Sequence, residues 1–297
     1  MRSWQSNLGK IPVGIYEKAL PLDMTWHERL TAAYEAGYDF LEISIDDGDM
    51  RLARLDWGAS DRAALRQAVR DSGIPITSLS LSAHRRFPLG SASPGLRQRA
   101  LDVFRKAVDF AHEFGLRHVL VAGAMAYYED HDPGTADRFL DGLERGFEWA
   151  SAAGVTLALE NWDICIDSIQ KVMQYVDHFN SPRFRVYGDI GNLVYAGYDP
   201  LAELALGQGH FAAIHVKDTI PGQLRYVPLG EGSVPFVDCF ARLAEIGFQG
   251  PLALELWTER YPDSVEIVAA ARQWLQSRME AGWRMALESE IAGEEHP

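Results

Sequence analysis

Eight short apolar runs, each followed by a segment of helical spacing, leave this 297-residue chain very few folds to choose from. The runs are Ile11–Tyr16, Phe40–Ile45, Ile76–Leu81, His118–Val121, Val155–Leu159, Phe184–Tyr187, Phe211–Val216 and Pro251–Leu256. The intervening segments, with helical periodicity, are Trp26–Ala36, Ser60–Ser72, Arg97–Phe114, Thr135–Ala153, Asp167–Phe179, Leu201–Leu206, Phe236–Ile246 and Pro262–Ala281. Ser60 reads as an N-cap, and Gly73, Gly115, Gly154 and Gly247 read as helix stops. Strand, helix, glycine and strand again is the pattern of a parallel sheet joined by crossover helices. Eight such units in a chain of this length predict an α/β fold, the (β/α)8 TIM barrel. A doubly wound open sheet is the alternative, but no GxGxxG follows the first strand to support dinucleotide binding there.

No Pro/Ser linker or low-complexity stretch divides the chain, so one domain over 1–297 is expected, with a loose acidic tail from about Glu288 to Pro297. The formal net charge of −14 argues against nucleic acid, whose phosphates need a basic footprint. A small anionic substrate is still compatible, because a few Lys or Arg side chains can serve one pocket. Cys165 and Cys239 lack CxxC spacing, which fits free thiols in a reducing compartment. Met1–Lys10 is polar and has no apolar signal-peptide core, and no run approaches membrane-spanning length. A cytoplasmic protein without a membrane partner is expected.

In such barrels chemistry collects at the C-terminal ends of the strands. There the fifth run is followed by Glu160 and the sixth, after Gly188, by Asp189; the seventh carries His215 and the eighth carries Glu255. Residues two apart share a face of a strand. Ala158 lies on the face of Glu160, Ala213 on that of His215 and Ala253 on that of Glu255, with larger aliphatics opposite. Small residues toward the barrel axis aim each polar group inward. The sixth strand departs from this rule, because Arg185 and Tyr187 share the face of Asp189. Each residue alone is compatible with a solvated strand end or a turn. Together, three carboxylates converging on one mouth repel each other unless a cation is present. Glu160, Asp189, His215 and Glu255 are therefore expected to ligate a divalent metal at one height in the barrel. Oxygen-rich ligation with one imidazole favours Mn²⁺ or Mg²⁺, with Co²⁺ or Zn²⁺ as alternatives.

These strand ends resemble those of the xylose-isomerase-like barrels. A closer resemblance rests on GIYEKALP (14–21), RLDW (54–57), LSAHRRFPLGS (81–91), DIGN (189–192), HVKDT (215–219) and VPLGEG (227–232). Together these look like the L-ribulose-5-phosphate 3-epimerases, also called L-xylulose-5-phosphate 3-epimerases, of L-ascorbate catabolism. One departure is Pro235, where some relatives are expected to carry an acidic residue. The resemblance implies metal-dependent epimerisation at C3 of a ketopentose 5-phosphate, with Glu160 and Glu255 as the acid/base pair and Asp189 and His215 as ligands only.

A 5-phosphate needs cationic donors. His84, Arg85 and Arg86 after the third strand are candidates, as are Lys217 and Arg225. Trp162 is expected to line the site, with Glu17, Lys18, Glu42 and Asp163 as further lining residues. The expected partner is a small sugar phosphate, and a homo-oligomer is compatible with the sequence. Alternatives are an aldose–ketose isomerase acting on a hexulose 6-phosphate, a dehydratase of an inositol-like ketone, and a non-catalytic sugar-phosphate binder. An apurinic endonuclease fits poorly with the acidic charge.

Overall fold

The computed structural model describes residues 11–294. Met1–Lys10 and the last residues of the expected tail lie outside the described residues. The barrel strands are β1 (Val13–Tyr16), β2 (Phe40–Ile45), β3 (Ile76–Leu81), β4 (His118–Ala122), β5 (Thr156–Glu160), β6 (Phe184–Asp189), β7 (Phe211–Val216) and β10 (Leu252–Leu254). Between β7 and β10 the chain adds an antiparallel hairpin, β8 (Asp218–Ile220) and β9 (Gln223–Val227). The barrel closes in the order β1-β10-β7-β6-β5-β4-β3-β2, with every pairing parallel.

The helices are α1 (Trp26–Glu35), α2 (Asp49–Leu52), α3 (Ala59–Ser72), α4 (Pro94–Phe114), α5 (Thr135–Ala152), α6 (Ile169–Phe179), α7 (Ile190–Tyr195), α8 (Pro200–Leu206), α9 (Phe236–Glu245) and α10 (Ser264–Glu294). Local chemistry sets their ends. Thr25 and Glu28 form a capping box at the start of α1, and Ser93 followed by Pro94 opens α4. Gly73 and Gly115 close α3 and α4 in the left-handed conformation. Ser60 is not the cap of α3: Gly58 holds that position, and Ser60 falls inside the first turn. The last helix does not stop at Ala281. Trp283 and Ala286 are buried against the core and carry α10 past Ala281, and the helix runs on to Glu294 through the stretch expected as a loose tail, where Glu288, Ser289 and Ile291 are exposed.

The main core lies between the outer faces of the strands and the helices, and includes Phe104, Phe110, Phe139, Phe184 and Phe240. The axis of the barrel holds a smaller cluster of Leu120, Ala158, Tyr187, Ala212 and Ala213. Tyr187 is therefore an inward residue, and β6 follows the same alternation as its neighbours with a larger filler. Toward the mouth the interior turns polar, with Glu42, Ser44, Ser78 and Ser80 all buried. Among the described residues no helix is long and apolar enough to cross a membrane.

Candidate active site

The four strand-end residues converge. Glu160, Asp189, His215 and Glu255 are all buried, and one ligand atom from each lies within 4.8 Å of the others. Their registers are staggered rather than level. Glu160 pairs with Tyr187, two residues short of Asp189; Asp189 pairs with His215; and His215 pairs with Ala253, two residues short of Glu255. Strand tilt in a closed barrel converts this stagger into a common height.

Local contacts fix these side chains. Asp189 is both a site residue and the N-cap of α7: its Oδ1 accepts from Asn192 N at 2.8 Å, leaving Oδ2 toward the cluster. Asn161 clamps the Asp189 backbone, accepting from Asp189 N at 2.7 Å and donating to its carbonyl at 3.0 Å. This ties the end of β5 to the end of β6. His215 stands with Nδ1 2.9 Å from Glu160 Oε1 and Nε2 2.7 Å from Glu42 Oε1.

Lys217 sends its ammonium back into the cluster, 2.7 Å from Glu255 Oε2 and 2.8 Å from Asp189 Oδ2. The second approach is not aligned as a hydrogen bond, so Asp189 Oδ2 is buried with no hydrogen-bond partner among the described residues. Burial raises the Asp189 carboxyl against the pull of Lys217, and the charges of Glu255 and Glu160 add to the rise. For Glu255 burial acts in the same direction, but Lys217 and then His215 outweigh it and hold the carboxyl below its ordinary value. Burial alone would lower the His215 pKa; Glu42, Glu160 and Glu255 reverse that and keep it well above the usual histidine value. A ring of three crowded carboxylates, one of them with an orphaned oxygen, is the arrangement a divalent cation relieves. The donor set therefore fits a metal.

Asp218 explains the rest of the HVKDT run. Its Oδ2 accepts from Gly230 N and Gly232 N at 2.8 and 2.9 Å, and its Oδ1 accepts from Thr219 N at 3.0 Å. The VPLGEG loop is thus wrapped around one carboxylate. A Cβ at Gly232 would stand 2.0 Å from Asp218 Oδ1, so only glycine fits there.

Glu160, His215 and Glu255 open onto a narrow cavity of about 30 Å³, lined also by Tyr16, Ser80, Ser82, Arg85, Trp162, Lys217, Arg225 and Trp257. Of these lining residues, Ser82 and Trp257 have a buried polar atom, Oγ and Nε1, with no hydrogen-bond partner among the described residues. Arg225, on β9, stacks 4.2 Å from the centre of the Trp257 ring. It also lines an adjoining apolar cavity of about 390 Å³.

The loop after β3 does not deliver all of its expected donors. Arg85 reaches the cavity while donating to Asp47 at 2.6 Å. His84 is buried away from it, 3.3 Å from the Ala100 carbonyl and edge-on to Phe104. Burial lowers its pKa to about 4, so the ring is neutral and ill-suited to bind phosphate. Arg86 turns outward and pairs with Asp49 at 2.6 Å. A short 3-10 turn at Ser82–Arg85 sends these neighbours in different directions, which sequence adjacency does not reveal. Glu17 and Lys18 belong to a separate buried ion cluster with Asp46, Arg51 and Arg54. Sequence reasoning missed Asn161, Tyr187, Ser78 and Trp257. Of these only Asn161, next to Glu160, carried a signal by position.

Residues 30–278 match the family model described as Xylose isomerase-like TIM barrel. The chain is 46% identical over 271 residues to L-ribulose-5-phosphate 3-epimerase UlaE of Escherichia coli O1:K1, covering 91% of this chain and 95% of that one. Among solved structures it resembles an L-ribulose 3-epimerase, with a TM-score of 0.76 at 18% identity, covering 97% of this chain and 99% of the other. A D-allulose 3-epimerase from Methylomonas sp. in complex with D-allulose gives a TM-score of 0.75 at 17% identity, covering 90% and 97%.

Proposed function

The chain belongs to the xylose isomerase-like TIM barrels and, within them, to the family of the L-ribulose-5-phosphate 3-epimerases, and from that premise we propose that it interconverts L-ribulose 5-phosphate and L-xylulose 5-phosphate by metal-dependent epimerisation at C3. The observation that carries this reading is the convergence of two buried glutamates, Glu160 and Glu255, on one cation-fitted cluster. A site built only to bind a sugar has no need of two such carboxylates.

Glu160, Asp189, His215 and Glu255 would hold the ion. Three carboxylates and one imidazole suit a hard divalent cation, and Mn²⁺ is the assignment made here, with Mg²⁺, Co²⁺ and Zn²⁺ also matching the donors. When bound, the ion supplies Lewis-acid stabilisation of the negative charge that builds on the substrate oxygens. Removing the C3 proton of a 2-ketose leaves an enediolate, and returning a proton to the opposite face inverts C3. Glu160 and Glu255 enter from strands separated by β6 and β7. One carboxylate takes the proton and the other returns one from the far side. Lys217 keeps Glu255 ionised and ready for proton transfer.

The 5-phosphate is assigned to Arg225. Lys217 and Arg85 are engaged with carboxylates, whereas among the described residues Arg225 has no ion pair and faces the cavity from its stack on Trp257. Arg85 is the secondary contact.

The test is conversion of L-ribulose 5-phosphate by chelator-stripped protein. No conversion before Mn²⁺ addition, and appearance of L-xylulose 5-phosphate after it, supports the proposal. Production of an aldose from a hexulose 6-phosphate instead would favour the isomerase. Binding without turnover, with every metal tried, would favour a sugar-phosphate binding protein.

A further inference from the structure

We propose that Glu42 is the positioning residue of the metal centre: it fixes the tautomer of His215 so that Nδ1 is the ligand atom, and Ser78 and Tyr187 fix Glu42 in turn. The inference rests on the metal-centre reading above and deepens it.

Glu42 comes from β2, 173 residues before His215 in the chain. It is fully buried and does not belong to the four-ligand cluster. Its two oxygens have separate duties. Oε2 accepts from Ser78 Oγ and from Tyr187 Oη, both at 2.6 Å. Oε1 faces His215 Nε2 at 2.7 Å. The other ring nitrogen, Nδ1, faces the cluster, 2.9 Å from Glu160 Oε1 and 3.9 Å from both Asp189 Oδ2 and Glu255 Oε2.

A metal-binding imidazole must offer a lone pair at one nitrogen, which leaves its proton on the other. A carboxylate can only accept. With Glu42 at Nε2, a ring that ligates keeps its proton there and offers its lone pair at Nδ1. Carboxylate partners of this kind orient a ligating ring, and their loss typically lowers metal affinity about 10- to 100-fold.

The two hydroxyl donors make the proposal specific. In Glu42→Gln, Ser78 and Tyr187 still require an acceptor, so the amide oxygen takes the Oε2 place. The amide NH₂ then points at His215 Nε2 and donates to it. That demands the opposite tautomer, with the proton on Nδ1, where it blocks the metal. A change that is nearly isosteric should therefore behave as a strong one. In Glu42→Gln combined with Tyr187→Phe, one of the donors holding the amide oxygen is gone, and the amide can turn over to accept from Nε2–H again.

The experiment measures Mn²⁺ affinity by competition with a fluorescent chelator, alongside thermal melting of each metal-free variant. The expected result is a loss of about 10- to 100-fold in Glu42→Gln, with a melting curve close to that of the unchanged protein, and partial recovery in the double variant. Equal affinity in Glu42→Gln, or a further loss in the double variant, overturns the proposal. If Glu42→Gln does not fold, ¹⁵N NMR of the unchanged, Zn²⁺-loaded protein reads the tautomer directly. A proton on His215 Nε2 and none on Nδ1 supports the assignment, and the reverse overturns it. If the unchanged protein binds neither Mn²⁺ nor Zn²⁺, the metal-centre reading falls and this inference falls with it. Metal binding that is indifferent to Glu42 removes this inference alone.

Discussion

Two buried charge clusters share the mouth of this barrel, and they are built on opposite terms. Beside β1 and β2, the carboxylates of Glu17, Asp46 and Glu259 meet Lys18, Arg51 and Arg54 at 2.5 to 3.2 Å. Every carboxylate there has a cationic partner. Across the barrel, Glu160, Asp189 and Glu255 share one lysine and one imidazole, and Asp189 Oδ2 is left without a hydrogen bond among the described residues. Burial costs both clusters heavily. The first cluster offsets that cost with arginines and is complete as it stands. The second remains short of positive charge, and a divalent ion would relieve the shortage. The completed cluster is structural, and the deficient one is where chemistry is expected. Buried charge alone does not mark a functional site; unbalanced buried charge does.

The strongest way to break this comparison is to remove one carboxylate from each side. Glu255→Gln and Glu160→Gln should each lower turnover by about 10²- to 10⁴-fold at saturating Mn²⁺, with the fold retained by circular dichroism. Near-normal turnover in both metal-loaded variants would end the two-glutamate mechanism. On the other side, Glu17→Gln should take from Arg54 its carboxylate partner, leave Arg51 with Asp46 and Glu259 alone, and destabilise the protein by about 3–5 kcal/mol in denaturant titrations. That loss depends on pH. Burial tends to raise the Glu17 carboxyl, but Arg54, Arg29 and Arg51 outweigh it and hold it at about 2 against an ordinary 4.5. A depressed folded pKa contributes stability above the unfolded value and loses it as pH falls through the folded one. The gap between Glu17→Gln and the unchanged protein should therefore be full at pH 7 and close between about 4.5 and 2.

Metal should distinguish the clusters more gently. At about one hundred times its dissociation constant, Mn²⁺ should stabilise the protein by about 2.7 kcal/mol. The variants Glu160→Gln and Glu255→Gln should gain less, and Glu17→Gln should gain as much as the unchanged protein. Equal gains in all of them would place the ion elsewhere. Arg225→Ala should raise KM for the phosphorylated substrate by about 10-fold, the equivalent of one charge-assisted contact of about 1.4 kcal/mol, and leave an unphosphorylated pentulose unaffected. Arg86→Ala, whose partner is an exposed aspartate, should change stability by no more than about 0.5 kcal/mol and leave KM unaltered. A larger effect at Arg86 than at Arg225 would reverse the phosphate assignment.

The barrel was legible because its signal is periodic. Each strand shows as a short apolar run and each long helix as a 3.6-residue rhythm, and both survive without knowledge of the partner. The β8–β9 hairpin, α2 and α7 escaped because they are only a few residues long and take their form from what they cover. Three of the four cluster residues lie at or within a strand end, and Glu255 follows β10 directly, so alternation with small residues gave the aim of Glu160, His215 and Glu255. Tyr187 looked out of place only because the filling of the barrel axis is a tertiary matter. The directions of His84 and Arg86 were not legible because they are set by contacts with Ala100 and Asp49, far away in sequence. Glu42 could be read only as lining, since its meaning comes from His215.

The central claim is that two glutamates move the C3 proton. Proton NMR of L-ribulose 5-phosphate incubated with the Mn²⁺-loaded protein in D₂O, recorded after the metal is removed, tests it most directly. Deuterium at C3 together with L-xylulose 5-phosphate is the predicted result. Deuterium at C1, or epimer formation with no solvent deuterium at C3, would contradict it.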